Sequence, residues 1–376
     1  MPPRILLSAG EPSGDLHGEA LAAALRARWP NVELYGLGGA GMERQGVRLL
    51  AHTDDLAVMG VAEVVGRLPF LLRLLRRMKR ELGDSPPDLL IPIDYPGFNL
   101  RLSRSARQRG VPVLYFIAPQ VWAWHRSRMA SLARDTDRIA VILPFEEALF
   151  RAAGAHATFV GHPLLDGVPA AVPRARFCAD AGLDPDAPIL AVFPGSRRQE
   201  VSRHLTAFME AARLVVEARP DVQPVVAAAP GIPGGTYTGI PTTADSWQLL
   251  LHARAALVKS GTTTLQAAIT DTPMVVAYRM HPFTFALARR LVRVPHVALA
   301  NLVAGERIAP ELMQEEATPE ALTAALLARL DEGDERRGAL EGLARIRAAL
   351  RPADSASRAT TAERVVAVAA ELIETR

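Results

Sequence analysis

Short runs of aliphatic and β-branched residues, bounded by glycine, proline or aspartate, alternate along the first half of the chain with longer segments whose apolar residues recur every three or four positions. Arg4 to Ser8, Val32 to Leu37, Leu89 to Ile93, Val113 to Ile117 and Arg138 to Leu143 read as buried strands, apolar on both faces. Leu16 to Arg28 reads as an Ala/Leu helix that stops before Pro30. Strands separated by helices pair in parallel through right-handed crossovers, so the pattern predicts an α/β fold with a doubly wound sheet. The alternation lapses in a proline- and aspartate-rich connection, Leu164 to Pro188, and then resumes. Ile189 to Phe193 and Val222 to Ala229 are its next strands, with a helix from Glu200 to Ala218 between them. Ala256 to Val258, a small-residue turn, a helix from near Thr264 and a strand from Pro273 to Tyr278 follow. The tail from Pro319 to Arg376 is Ala/Leu/Arg-rich helix. We therefore expect two Rossmann-like domains, residues 1–168 and 169–345, with 346–376 packing back on the first and strand ends of both halves lining one cleft.

In such sheets ligands bind at the carboxyl ends of the strands, which singles out three turns. Ser260, Gly261 and Thr262, with Gln266 on the following helix, point backbone N–H groups and a dipole end at one spot suited to an anion. The commoner reading of such a turn is a plain helix cap. Gly195, Ser196, Arg197 and Arg198, with Glu200, form a glycine turn and two arginines at a helix entry, suited to bidentate contact with a diphosphate leaving group. Neither turn has the Gly-Lys-Ser/Thr ending of a Walker loop or the dinucleotide glycine fingerprint, so triphosphate hydrolysis and hydride transfer lack their signatures. Asp94 ends an apolar strand, where burial can tune a carboxylate for proton transfer, although an Asp before Pro96 and Gly97 more often stabilises a turn. Glu11 and Asp15, in the first turn beside Ser13 and Gly14, are further carboxylate candidates under the same reservation.

Composition narrows this picture. At 376 residues the chain exceeds the roughly 250–300 residues at which a single core stops growing, in keeping with two domains. A net charge of +3 is too small to argue for nucleic acid, and all but two of the 43 basic residues are arginine, the lysines being Lys79 and Lys259. Cys178 stands alone, which excludes an intrachain disulfide and a thiolate cluster. Asp184 and Asp186, and His125, His162 and His204, make no convincing ligand set, and no metal is expected. The N-terminus reads as strand and turn without a signal-peptide core, and no apolar run is long enough to span a bilayer, so the expected location is cytoplasmic. Gly66 to Leu82 is amphipathic: Leu68, Leu71, Leu72, Leu75, Met78 and Leu82 gather on one helix face, Phe70 stands nearby, and Arg73, Arg76, Arg77 and Arg80 lie opposite. Packing on the sheet is the ordinary reading of such a helix, and contact with anionic lipid is the alternative.

Ser8 to Asp15, Ile93 to Asn99, Ala118 to Trp124, Leu143 to Glu146, Val160 to Pro163, Pro194 to Arg197, Lys259 to Leu265, Val276 to Met280 and Asn301 to Gly305 together resemble the lipid-A-disaccharide synthases, in order and over nearly the whole chain. The resemblance implies a GT-B glycosyltransferase that joins UDP-2,3-diacylglucosamine to 2,3-diacylglucosamine 1-phosphate with inversion, releasing UDP and using no cofactor. It assigns the base to Asp94, with Glu11 or Asp15 as alternatives, and the acceptor side to Ser13, Gly14 and Asn99. It assigns UDP contact to Ser196, Arg197 and the turn at Ser260, with Tyr278, Arg279, Asn301, Gln314 and Glu315 lining the nucleotide side. Acylated substrates imply peripheral contact with the inner face of the cytoplasmic membrane, which favours the lipid-facing reading of Gly66 to Leu82. A homodimer exchanged through the C-terminal segment is implied as well. This chain departs from the pattern where some relatives carry Asp at Gly97 and where Glu is usual at Gln266; an amide there can still bind a ribose hydroxyl but carries no charge. Competing readings are a UDP-GlcNAc-dependent transferase or epimerase acting on a soluble substrate, and a membrane-associated binding protein without chemistry.

Overall fold

The computed structural model describes residues 2–56, 61–123, 126–229, 231–237, 239–281, 285, 294–353 and 358–374, with backbone alone at 61–67, 123, 126–127 and 234. It divides into two compact units, Met1–Asp166 with Arg351–Arg376, and Gly167–Leu350. Unit 1 is built on seven strands: β1 (Arg4–Ala9), β2 (Glu33–Gly38), β3 (Arg48–His52), β4 (Leu89–Ile93), β5 (Leu114–Phe116), β6 (Arg138–Val141) and β7 (Ala157–Phe159). Their order is β3-β2-β1-β4-β5-β6-β7, and the pairings on either side of β1 are parallel. Unit 2 has β8 (Ile189–Phe193), β9 (Gln223–Ala227), β10 (Thr242–Thr243), β11 (Ala253–Lys259), β12 (Met274–Tyr278) and β13 (Glu311–Met313). Their order is β10-β9-β8-β11-β12-β13, again with parallel pairing. Each order reverses once, between β1 and β4 and between β8 and β11. Loops leaving those neighbouring strand ends diverge to opposite faces of the sheet, which opens a crevice there.

The central strands form because their side chains are apolar on both faces; β4 and β8 are buried along their whole lengths. The last helix, Thr361–Glu374, belongs to unit 1, where Val365, Val366, Val368 and Ala369 pack with Ile5, Leu7, Leu21 and Leu25. Its start is fixed by Asp166, which accepts the Thr361 N–H at 2.8 Å. The preceding helix, Asp334–Ala349, stays with unit 2, so the break in the tail falls at Leu350 rather than at residue 346.

Two sequence expectations change. The first helix is Pro12–Arg28, not Leu16–Arg28: Pro12 opens it with its φ already helical and no N–H to lose, so Ser13, Gly14 and Asp15 sit in its first turn instead of a loop. The amphipathic helix spans Val61–Asp84 and turns Leu74, Leu75, Met78 and Leu82 into the core, while Leu72 (43% exposed) and Leu68 (50% exposed) face outward. Leu74, Met78 and Leu82 follow one another at four-residue steps and form the core-facing ridge; Leu72, two residues before Leu74, lies off it.

Gly36 shows how tightly unit 1 is wound. Its φ of +146° lies beside a register shift between β2 and β3, and an added Cβ would fall 1.8 Å from the Leu7 carbonyl oxygen of β1. Gly36→Ala is therefore expected to lower stability by about 3–5 kcal/mol or to abolish soluble expression. Gly338→Ala, in an exposed helical setting with nothing within 4 Å, serves as the opposite case, with a gain of about 0.5–1 kcal/mol. Thermal melts of the two variants check both signs.

Candidate active site

At the unit 1 reversal, β4 ends on Ile93 and the chain enters two consecutive left-handed residues, Asp94 (φ +46°) and Tyr95 (φ +51°), before Pro96 opens the helix Pro96–Arg107. Ile117, at the end of β5, is left-handed as well, at φ +59°. Such residues cost on the order of 1–3 kcal/mol each and persist only where the surroundings hold them. Here the Asp94 carbonyl accepts the Tyr115 hydroxyl at 2.7 Å and the Asn99 amide at 2.8 Å. Asn99 in turn donates to the Ser8 carbonyl at 2.9 Å and accepts the Ser8 hydroxyl at 2.6 Å. Fully buried in a helical first turn, Asn99 thus fixes the two strand ends, a framing role at a position where the resemblance implies the acceptor side.

Burial, and after it the negative charge of Glu11, push the Asp94 carboxyl up to about 6. The group lines a cavity of about 280 Å³ together with Ile117, Gln120, Arg128, Leu143 and Glu146. Glu146 is 1% exposed, and burial lifts its carboxyl to about 7 against the opposing pull of its donors. Those donors are the Trp122 indole N–H at 2.9 Å and the Leu143 N–H at 3.1 Å. Neither Glu146 nor Trp122 was expected as a site residue; the signal was a Glu three residues into a helix that follows directly on a buried strand. Trp124 and His125, from the same stretch, lie outside the described residues.

Asp15 is engaged differently from Glu11. Its carboxylate accepts the N–H groups of Gly39 at 2.6 Å, Gly41 at 2.9 Å and Met42 at 3.1 Å, capping the helix Ala40–Arg44. Three backbone donors engage both of its oxygens, so this geometry ties Asp15 to the fold. Glu11, exposed at the N-cap of the first helix, acts on Asp94 through its charge.

At the unit 2 reversal the turn after β8 meets the turn after β11. Gly195 has φ +139°, and a Cβ on it would fall 2.5 Å from the Glu200 Cβ. Glu200 reaches back from the helix Arg198–Ala218 to accept the Ser196 N–H at 3.0 Å and the Arg197 N–H at 3.3 Å. Its other oxygen takes the Lys259 ammonium at 3.0 Å. Burial alone would raise the Glu200 carboxyl, but Lys259 and the two backbone donors outweigh it and leave it below the ordinary range. The Arg197 and Arg198 side chains are exposed beside this turn. Lys259 was not singled out from the sequence, although it is one of only two lysines.

Several expected nucleotide-side residues are bonded into the framework. Asn301 is fully buried: it donates to the Ala309 carbonyl and to Glu311, and accepts the N–H groups of Ile308 and Ala309 at 2.9 Å each. Gln314 accepts the Met280 N–H at 2.7 Å and donates to the Met280 carbonyl at 3.2 Å. Arg279 donates its guanidinium to the Ala317 carbonyl, and its backbone N–H to His204 Nε2 at 2.9 Å. That donation makes Nε2 an acceptor, so the His204 proton sits on Nδ1, 2.7 Å from the Glu200 carbonyl. Burial also depresses the His204 pKa and keeps the ring, stacked on Tyr278, neutral. Ser260 donates its hydroxyl to the Val297 carbonyl at 2.9 Å. Thr262 and Glu315 are exposed and Gln266 is half-buried. The helix Thr263–Ile269 has only seven residues, so its dipole alone is a weak anion trap, and side-chain cations carry more of that task. A larger cavity, about 670 Å³, lies at the opposite strand ends among Arg174, Arg219, Arg254 and Arg336. Those arginines are engaged there, Arg174 with three carbonyls and Arg219 and Arg254 with Asp331 and Glu332.

Comparison with known proteins bears on both reversals. The family model described as lipid-A-disaccharide synthetase matches residues 5–365. A lipid-A-disaccharide synthase from Syntrophus aciditrophicus is 41% identical over 375 residues, covering 94% of this chain and 95% of the relative. Among solved structures, a putative UDP-N-acetylglucosamine 2-epimerase from Listeria monocytogenes superposes with a TM-score of 0.65 at 13% identity, covering 100% of this chain and 98% of that one. The calicheamicin glycosyltransferase CalG4 does so with a TM-score of 0.64 at 17% identity, covering 100% and 99%. The structural likenesses establish the fold, two parallel-sheet α/β units of the GT-B type. The sequence match runs through the strand ends of both units, from Ser8 and Asp94 to Glu200 and Lys259, and by it the chain belongs to the lipid-A-disaccharide synthase family.

Proposed function

We propose that the protein transfers the diacylglucosaminyl group of UDP-2,3-diacylglucosamine to the 6-hydroxyl of 2,3-diacylglucosamine 1-phosphate, giving the β-1,6 disaccharide 1-phosphate and UDP with inversion at the anomeric carbon. What carries this reading within a glycosyltransferase family is Asp94. It follows a buried strand at the unit 1 reversal, and its carboxyl ionises near 6. A base in that range is mostly ionised at neutral pH yet holds a proton far better than an ordinary aspartate. In this reading Asp94 takes the hydroxyl proton as the acceptor oxygen attacks, and the sugar–phosphate bond breaks with its electron pair leaving on the diphosphate. Arg197 and the turn at Ser260 meet that charge. Leu68 and Leu72, exposed on the helix that also exposes Arg73, Arg76 and Arg80, support a lipid-facing surface for acylated substrates at the inner face of the cytoplasmic membrane. Among the described residues no helix is long and apolar enough to cross a membrane.

The direct test is incubation with both acylated sugars in dispersed form, with release of UDP as the readout. Asp94→Asn should lower turnover by about 10²–10⁴-fold with UDP binding intact. No UDP release from the wild-type protein would refute the assignment.

The pH profile supplies a second test. A base must be ionised, so kcat/KM is expected to fall as pH drops through about 6. Glu11→Gln removes a negative charge that holds the proton on Asp94 and should move this acid limb to lower pH. The stability sign runs the other way. Because the folded pKa lies above the ordinary value of 3.8, Asp94 costs stability as pH rises through about 6, so Asp94→Asn should melt higher than wild type at pH 8, with the difference vanishing below pH 4. A limb unmoved by Glu11→Gln would remove Asp94 from the role.

For the membrane reading, the protein is expected to co-sediment with vesicles containing anionic lipid and to be released by salt. Leu68→Ser with Leu72→Ser should leave the melting temperature unchanged and reduce the bound fraction several-fold. Equal binding by the double variant would move the contact elsewhere.

A further inference from the structure

We infer that Lys259 is a catalytic residue that contacts the diphosphate of the donor, beyond its visible ion pair with Glu200. The inference rests on the donor-site reading of unit 2. Lys259 is the last residue of β11 and stands at the β8/β11 reversal, where a doubly wound sheet binds its ligand. Its ammonium joins the two turns that flank that point. It lies 3.0 Å from Glu200 Oε1, and a Cβ on Gly261 would come within 3.6 Å of it, so little separates Nζ from the backbone of the Ser260 turn. The ring of Tyr278 lies 5.4 Å beneath. Lys259 and Glu200 side chains are each only 17% exposed.

Donor counting separates the lysine from its partner. An ammonium has three N–H donors, and among the described residues Glu200 Oε1 is its one hydrogen-bond acceptor. Glu200 does not depend on the lysine to stay in place, since Oε2 is held by the N–H groups of Ser196 and Arg197 and by the Ser196 hydroxyl at 3.3 Å. Lys259 and Arg197 set two cations against this one carboxylate, while His204 is held neutral. The surplus suits a dianionic diphosphate. A compact ammonium also fits between the Tyr278 face and the Gly261 backbone, where a planar guanidinium fork is a poor match, in a chain whose other cations are almost all arginine. During transfer Lys259 keeps its proton: the bond from the anomeric carbon to the diphosphate oxygen breaks, the electron pair goes to that oxygen, and the ammonium stabilises the charge by a charge-assisted hydrogen bond.

The test is calorimetric titration of the purified full chain with UDP and with UMP. Lys259→Met should weaken UDP by about 10–100-fold and remove most of the preference of UDP over UMP. Glu200→Gln, which frees the ammonium, should weaken UDP far less than Lys259→Met does. A purely structural ion pair makes the opposite forecast: both single variants lose UDP alike, and that result overturns the inference. The double variant Glu200→Gln/Lys259→Met has no unpaired carboxylate to strain the fold, and it must still lose UDP as the lysine variant does. UDP affinity within twofold of wild type in Lys259→Met would also overturn the inference, with the donor-site reading intact. Failure of the wild-type chain itself to bind UDP would overturn both, and so separates the two failures.

Discussion

In a parallel sheet each crossover helix must lie on one face or the other. Where the winding changes direction, two adjacent strands send their loops apart and leave a crevice that no side chain of the sheet can fill. Both units of this protein contain one such reversal, and the chemistry-bearing residues collect there. In unit 1 the loops after β1 and β4 carry Glu11 and Asp94; in unit 2 the turns after β8 and β11 carry Ser196, Arg197 and Lys259. The reversal needs neighbouring strands that are buried on both faces, because only crossovers on both sides oblige the loops to diverge. The apolar runs of β4 and β8 are therefore a precondition of the sites as well as of the core.

Holding reactive groups at a reversal has a conformational cost, and unit 1 shows where it is met. Asp94, Tyr95 and Ile117 are all left-handed without being glycine. The polar residues that stabilise this conformation, Ser8, Asn99 and Tyr115, are themselves buried and bonded to one another or to the Asp94 carbonyl. A buried polar network of this kind is favourable only when complete, which makes it rigid. Rigidity matters here because the same burial that the network enforces also raises the Asp94 carboxyl. Backbone strain, hydrogen bonding and proton affinity are three results of one packing arrangement.

Much of this was legible in the chain, and the omissions share a physical cause. The interior strands were found from their apolar runs, whereas β3, β7, β10 and β13 were not; these four are the edges of the two sheets. An edge strand is paired on one side only and partly exposed, so Arg48–His52 or Glu311–Met313 carries no run that periodicity can detect. Position along the helix Val61–Asp84 was misjudged at Leu72 because a wheel drawn at constant angle has no knowledge of which ridge meets the sheet. The bonds of several site candidates were not readable: Asp15, Asn301 and Gln314 bind backbone groups elsewhere in the chain, and such partners exist only once the chain is folded. Lys259 and Glu146 escaped for the same reason, since each acquires meaning from a residue more than twenty positions away.

The two units treat a carboxylate in opposite ways, and the difference follows from what surrounds it. Asp94 is half-buried, and burial and the like charge of Glu11 both favour the proton. Glu200 is also partly buried, yet an ammonium and two backbone N–H groups hold it ionised. A buried setting beside a like charge favours the protonated carboxyl, and backbone donors beside an ammonium favour the ionised one, so the two environments select opposite protonation states. The placement of cations therefore decides more than affinity. By setting Lys259 against Glu200, while the groups that set the Asp94 pKa include no cation, the fold keeps one carboxylate ionised and lets the other hold its proton to higher pH.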